Sequence, residues 1–125
     1  MYLGGFMKTG LTWKTYSQAL FDGLNSVSAV RIEDAVALID KTVSEGGTIW
    51  VFGNGGSAAT ASHFCVDLSK GAATRLKRQV KALPILDLVP LQTALSNDMT
   101  YTSAIANSLS AFASRGDFSF ESKRK

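Results

Sequence analysis

Cysteine occurs once in this 125-residue chain, histidine once and proline twice. Cys65 has no partner for an internal disulfide and no second thiol with which to space a metal site. A reducing compartment, most simply the cytoplasm, is the expectation. No apolar run comes near the roughly 18–20 residues that a membrane helix needs. Met1–Thr9 carries Lys8 and glycines but none of the regions of a secretion signal, so no membrane partner is expected. Charged residues are scarce at 18% and hydrophobic ones make up 46%, a balance that excludes a disordered chain. The length suits one domain, and such a chain buries about two thirds of the surface its unfolded form exposes.

The net charge of +3 is concentrated in two places. One is Lys70–Lys81, with Arg75, Lys77 and Arg78; the other is Lys123-Arg124-Lys125. Two solvated segments are one reading, and attraction to an anionic partner is the other. Nucleic acid is disfavoured as that partner, because no aromatic residue is interleaved with the run from Lys70 to Lys81.

Helical spacing begins after Thr12, a candidate N-cap. Trp13, Tyr16, Leu20, Leu24 and Val27 recur at three and four residues, with Lys14, Gln18 and Asp22 off that stripe. Ser26–Ser28 reads as a break. A second helix is predicted over Arg31–Glu45, with Ile32, Val36, Ile39 and Val43 on one face and Gly46-Gly47 at its end. Both helices read as packing elements, and in a family context they become candidates for a subunit interface.

Thr48-Ile49-Trp50-Val51-Phe52 then forms a β-branched and aromatic run, the pattern of a strand buried on both faces. Gly53-Asn54-Gly55-Gly56-Ser57 follows, and small residues lead into a helix predicted over Ala58–Ser69. Buried strand, glycine turn and helix N-terminus make the layout of a phosphate cradle. The first amides of a helix lack partners and carry partial positive charge, glycines permit close approach of an anion, and Ser57 adds a hydroxyl donor. The same layout also serves as an ordinary tight connection. Neither GxGxxG nor a Walker lysine is present, so no nucleotide cofactor is expected.

The stretch Val51–Leu68, VFGNGGSAATASHFCVDL, resembles the signature segment of sugar isomerase (SIS) domains of the phosphoheptose isomerase type. These run as a hydrophobic strand, then GNGGSA, then a helix with His-Phe and an acidic residue four after the His. Leu83–Leu88 resembles the family's second strand. Leu95-Ser96-Asn97-Asp98 with Tyr101 resembles its Leu-x-Asn-Asp segment, and Arg115-Gly116-Asp117 resembles the lead into its third strand. The likeness covers roughly Tyr16–Asp117, and the GNGGSA block is its most specific part.

The resemblance implies a flavodoxin-like α/β fold, a three-layer α-β-α parallel sheet with two N-terminal helices. It implies a phosphorylated sugar as ligand and aldose–ketose isomerisation, the conversion of sedoheptulose 7-phosphate to a heptose 7-phosphate. Asn54, Gly55, Gly56 and Ser57 would line the pocket, with Asn97 and Asp98 near the sugar end. His63 and Asp67 match the helix positions of the family's His and Glu, where the carboxylate moves the proton and both residues help hold zinc in some members. A homo-oligomer is implied as well.

The residues themselves support part of this. His63 and Asp67 lie four apart and share a helix face, but a zinc site needs two further ligands, and a plain His–Asp hydrogen bond is the alternative. Asp67 is one methylene shorter than Glu, and proton transfer depends on fine positioning. Cys65 reads as a small buried hydrophobe. The family's Ser/Thr-rich phosphate loop and its later histidine have no counterpart here. The expected layout is therefore a tail over 1–11, a partial and apparently truncated SIS domain over 12–117, and a divergent basic tail over 118–125. Phe118–Glu121 retains the alternation of a strand. Pro84 suits an edge or a strand end, Pro90 a first helical turn, and Ile105, Leu109 and Phe112 mark a helix over Thr102–Ser114. Three readings stay open: an isomerase, a non-catalytic phosphosugar-binding or protein-interaction module, and a vestigial chain.

Overall fold

A computed structural model describes residues 12–122; the tails over 1–11 and 123–125 lie outside the described residues. The chain divides into two units, Met1–Val36 and Ala37–Lys125.

Within the first unit, α1 (Trp13–Asn25) starts where the sequence predicts. The Thr15 amide donates to Thr12 Oγ1 at 3.3 Å and the Thr12 amide to Thr15 Oγ1 at 2.9 Å. This reciprocal pair satisfies two donors that a helix start would otherwise leave open. The apolar stripe of α1 is exposed along its length, with Trp13 80%, Leu20 54% and Leu24 66% accessible. The next helix, α2 (Ala29–Ser44), begins two residues before its predicted start.

The second unit is built on a parallel sheet. Strand β1 (Thr48–Gly53) lies at its centre, between β2 (Lys81–Pro84) and β3 (Phe118–Ser122). Ile49 stands opposite Ala82 on one side and Phe118 on the other. Alternation sends successive side chains of β1 to opposite faces. Ile49 and Val51 pack with Ala61, Cys65, Val80 and Ala82, and Ile39, Val43, Phe64, Phe118 and Phe120 close around them. Trp50 faces the other way, its ring 6.2 Å from that of Phe112 on α6 (Tyr101–Phe112). Helices therefore cover both faces of a parallel sheet, the predicted three-layer α/β class.

Three expectations are corrected. The second strand ends at Pro84 instead of running to Leu88, and Ile85–Asp87 forms a 3₁₀ turn. Proline has no N–H with which to continue the ladder. Phe118–Ser122 belongs to the sheet and not to a divergent tail, because Phe118 and Phe120 pack on the core while Ser119 and Glu121 face solvent. The helix after the glycine turn, α3 (Gly56–Val66), starts earlier than Ala58 and runs through a π-turn at Asp67–Ala72 into α4 (Ala73–Leu76).

That π-turn has a structural use. Ser69 Oγ accepts from the Ala82 amide and donates to the Ala82 carbonyl, both at 3.2 Å. One hydroxyl thus occupies both polar groups of a residue on the edge strand β2. Two cations of the basic run are also engaged: Arg78 pairs with Asp40, and Lys81 Nζ donates to the Gly46 carbonyl at 2.9 Å.

Candidate functional site

Two sets of contacts shape the turn after β1. A Cβ at Gly53 would lie 2.7 Å from the backbone oxygens of both Ser122 and Ser57, so only glycine lets the ends of β1 and β3 and the first turn of α3 meet. Gly55 is the N-cap of α3 at φ +54° and ψ −122°, a conformation that side chains strongly disfavour. The Ser57 amide donates to the Asn54 carbonyl at 2.9 Å and the Ala58 amide to the Gly55 carbonyl at 3.0 Å. Among the described residues, the amides of Gly55 and Gly56 have no backbone acceptor, and no side chain caps the helix. The turn therefore presents unpaired donors at the positive end of an 11-residue helix.

Tyr101, the first residue of α6, reaches this turn: its hydroxyl donates to Asn54 Oδ1. In the sequence Tyr101 stands out only as part of a segment that resembles the family's, and no spacing rule joins residues 47 positions apart. Asn97 and Asp98 end α5 (Val89–Asp98), with Pro90 in its first turn, and both side chains are exposed. Asn97 Nδ2 donates to Asp98 Oδ1 at 3.3 Å. No hydrogen bond joins either residue to Asn54–Ser57 among the described residues; Tyr101 makes the link from this corner.

His63 and Asp67 pair as their spacing predicts, Nδ1 to Oδ2 at 3.2 Å, with side chains 79% and 65% exposed. They border an open hollow of about 560 Å³ with Ala59, Thr60 and Phe64. Asp67 follows Ser57 by ten residues, about 15 Å along a helix, so the carboxylate and the glycine turn are well separated within one chain. Among the described residues no three His, Cys, Asp or Glu side chains converge. Two exposed ligands do not make a four-coordinate zinc site.

Cys65 lies inside. Burial, and secondarily the nearby Asp87 charge, push its thiol up to about 11, so it stays protonated and packs as a hydrophobe. Asp87 itself accepts from Ser62 Oγ at 3.0 and 2.9 Å.

A parallel sheet covered by helices, with an uncapped glycine turn leading from its central strand into a helix, defines the class as an α/β domain. Within that class, the model of the SIS domain family matches residues 12–118, and the chain belongs to this family. It is 36% identical over 89 residues to the phosphoheptose isomerase of Thermodesulfovibrio yellowstonii, covering 69% of this chain and 42% of that one. It is also 36% identical to the probable phosphoheptose isomerase of Thermoplasma volcanium, over 82% of this chain and 52% of that one. The fold matches the structure of phosphoheptose isomerase GmhA from Neisseria gonorrhoeae with a TM-score of 0.71 at 22% identity, covering 88% of this chain and 60% of that one. The chain spans about half the length of the curated relatives it matches.

Proposed function

We propose that the turn Asn54–Ser57 binds a phosphorylated sugar of the phosphoheptose class. The observation that carries this is the uncapped start of α3, where the Gly55 and Gly56 amides have no backbone acceptor among the described residues and Ser57 adds a hydroxyl to the same turn. The relatives named phosphoheptose isomerase support the choice of ligand. Calorimetry with sedoheptulose 7-phosphate on the 125-residue chain tests it. Ser57→Ala is expected to lose about 1 kcal/mol of binding or somewhat more, as for one hydrogen bond to a charged group. Gly55→Val is expected to abolish binding by distorting the turn, since a Cβ there meets no atom within 4 Å but sits at φ +54°. Equal affinity in the wild type and Gly55→Val would sink the reading.

In this reading the single chain binds without turning over. Asp67 is the candidate base and His63 its partner, but aldose–ketose interconversion needs the base beside the held sugar. The ~15 Å along the helix between Ser57 and Asp67 is too long for that within one protomer. Completion by another protomer is the natural remedy, and the exposed stripe of α1 suits a homo-oligomer. Zinc, on the same reading, requires ligands beyond His63 and Asp67. A cytoplasmic location accords with the single buried thiol, and among the described residues no helix is long and apolar enough to cross a membrane.

A further inference from the structure

We infer that Tyr101 is a positioning residue for the ligand turn: its hydroxyl fixes the Asn54 carboxamide so that the amino end, and not the carbonyl end, meets the ligand. The inference rests on the reading of Asn54–Ser57 as the cradle. A carboxamide carries an acceptor at Oδ1 and two donors at Nδ2. With Oδ1 occupied by the Tyr101 hydroxyl, Nδ2 is the end left without a partner among the described residues. Nδ2 attracts an anion or a sugar hydroxyl oxygen, whereas Oδ1 repels a phosphate. An exposed Asn free to rotate would present either end, and ordering it on binding costs entropy. Pinned in this way, Asn54 extends the row of donors begun by the Gly55 and Gly56 amides.

The tyrosine is held by the rest of the unit. Thr100 caps α6, accepting from the Ser103 amide at 3.2 Å. Further along α6, the buried Ser108 accepts from Gln92 Nε2 at 2.6 Å, and Gln92 also donates to the Ile85 carbonyl at 3.4 Å. Bonds therefore run from the 3₁₀ turn after β2 through α5 and α6 to the hydroxyl on Asn54. The Asn54 side chain sits on the exposed turn, while its anchor belongs to an element tied into the core.

The test is a double-mutant cycle on the full chain, read by calorimetry with inorganic phosphate and with sedoheptulose 7-phosphate. Tyr101→Phe keeps the ring and removes the hydroxyl, and is expected to weaken binding roughly three- to tenfold, the range of one neutral hydrogen bond. Asn54→Ala is expected to weaken it at least as much, and the double variant no further, because Tyr101 acts only through Asn54. Without ligand, the Asn54 side-chain amide resonances are expected to move in Tyr101→Phe. A bond that merely braced the turn would lower the melting temperature and leave affinity unchanged. Wild-type affinity in Tyr101→Phe, additive losses in the double variant, or unmoved Asn54 resonances would each overturn the inference. Failure of the wild type to bind either probe would overturn the cradle reading itself.

Discussion

Asp117 accepts from the Thr48 amide at 2.7 Å, Trp50 Nε1 at 2.8 Å and the Ser114 amide at 2.9 Å. Burial pushes its carboxyl up, but these three donors and the charge of Lys81 outweigh that and hold it below the usual carboxylate range. A carboxyl whose folded value is depressed contributes stability at pH values above its unfolded value, near 4. That contribution drains away as pH falls from there through the folded value. Asp117→Asn is expected to lower the urea midpoint at pH 7, at a cost of roughly 1–3 kcal/mol from donors left unmatched. The gap between variant and wild type is expected to narrow below pH 4; a gap constant from pH 7 to pH 3 would contradict the assignment. At this scale His63 behaves plainly. Its pairing with Asp67 is exposed, so zinc added to the chain is expected to bind weakly and to leave on dialysis against a chelator. Stoichiometric zinc that survives such dialysis in protein shown to be monomeric would refute this.

The strand–turn–helix element invites a contrast among its glycines. Gly53→Ala puts a methyl group 2.7 Å from two backbone oxygens, which cannot swing aside, and is expected to cost about 1–3 kcal/mol or more. Gly56→Ala meets open space and is expected to leave thermal stability near that of the wild type. Equal melting temperatures for the two variants would show that the packing of β1, β3 and α3 is looser than described. These elements were readable in the sequence because their signals are local. Thr12 announces a cap, Thr48–Phe52 is a compact apolar run, and the glycines stand between strand and helix. The end of β2 is misplaced by a sequence reading because Leu83–Leu88 is apolar but for Asp87, and the missing N–H of Pro84 is what stops the ladder. The π-turn at Asp67–Ala72 has no periodic signature, and what it supports, the hydroxyl of Ser69 on Ala82, joins residues 13 apart. The Tyr101–Asn54 contact was hidden for the same reason at greater range. For the candidate site, the turn, the His63–Asp67 pair and the helix between them are legible in the sequence, but the hydroxyl that Tyr101 places on Asn54 is not.

For the whole molecule, the apolar stripe of α1 sets the prediction. Trp13, Leu20 and Leu24 are more than half exposed, so self-association is expected to bury them. Sedimentation of Leu20→Glu is expected to show a smaller species than the wild type at equal concentration. An unchanged distribution would place any interface elsewhere. A coupled assay for ketose-to-aldose conversion, with Asp67→Asn as control, is expected to find no turnover by the isolated chain above that control. Asp117 carries one further consequence, concerning the order in which the chain is made. It fastens the start of β1 to a segment synthesised 69 residues later. At typical ribosomal speeds of about 5–20 residues per second, the central strand waits roughly 3–14 s for its second neighbour. Throughout that interval one side of β1 is an open template, and the nascent chain depends on chaperones or on sheer dilution to keep other strands away.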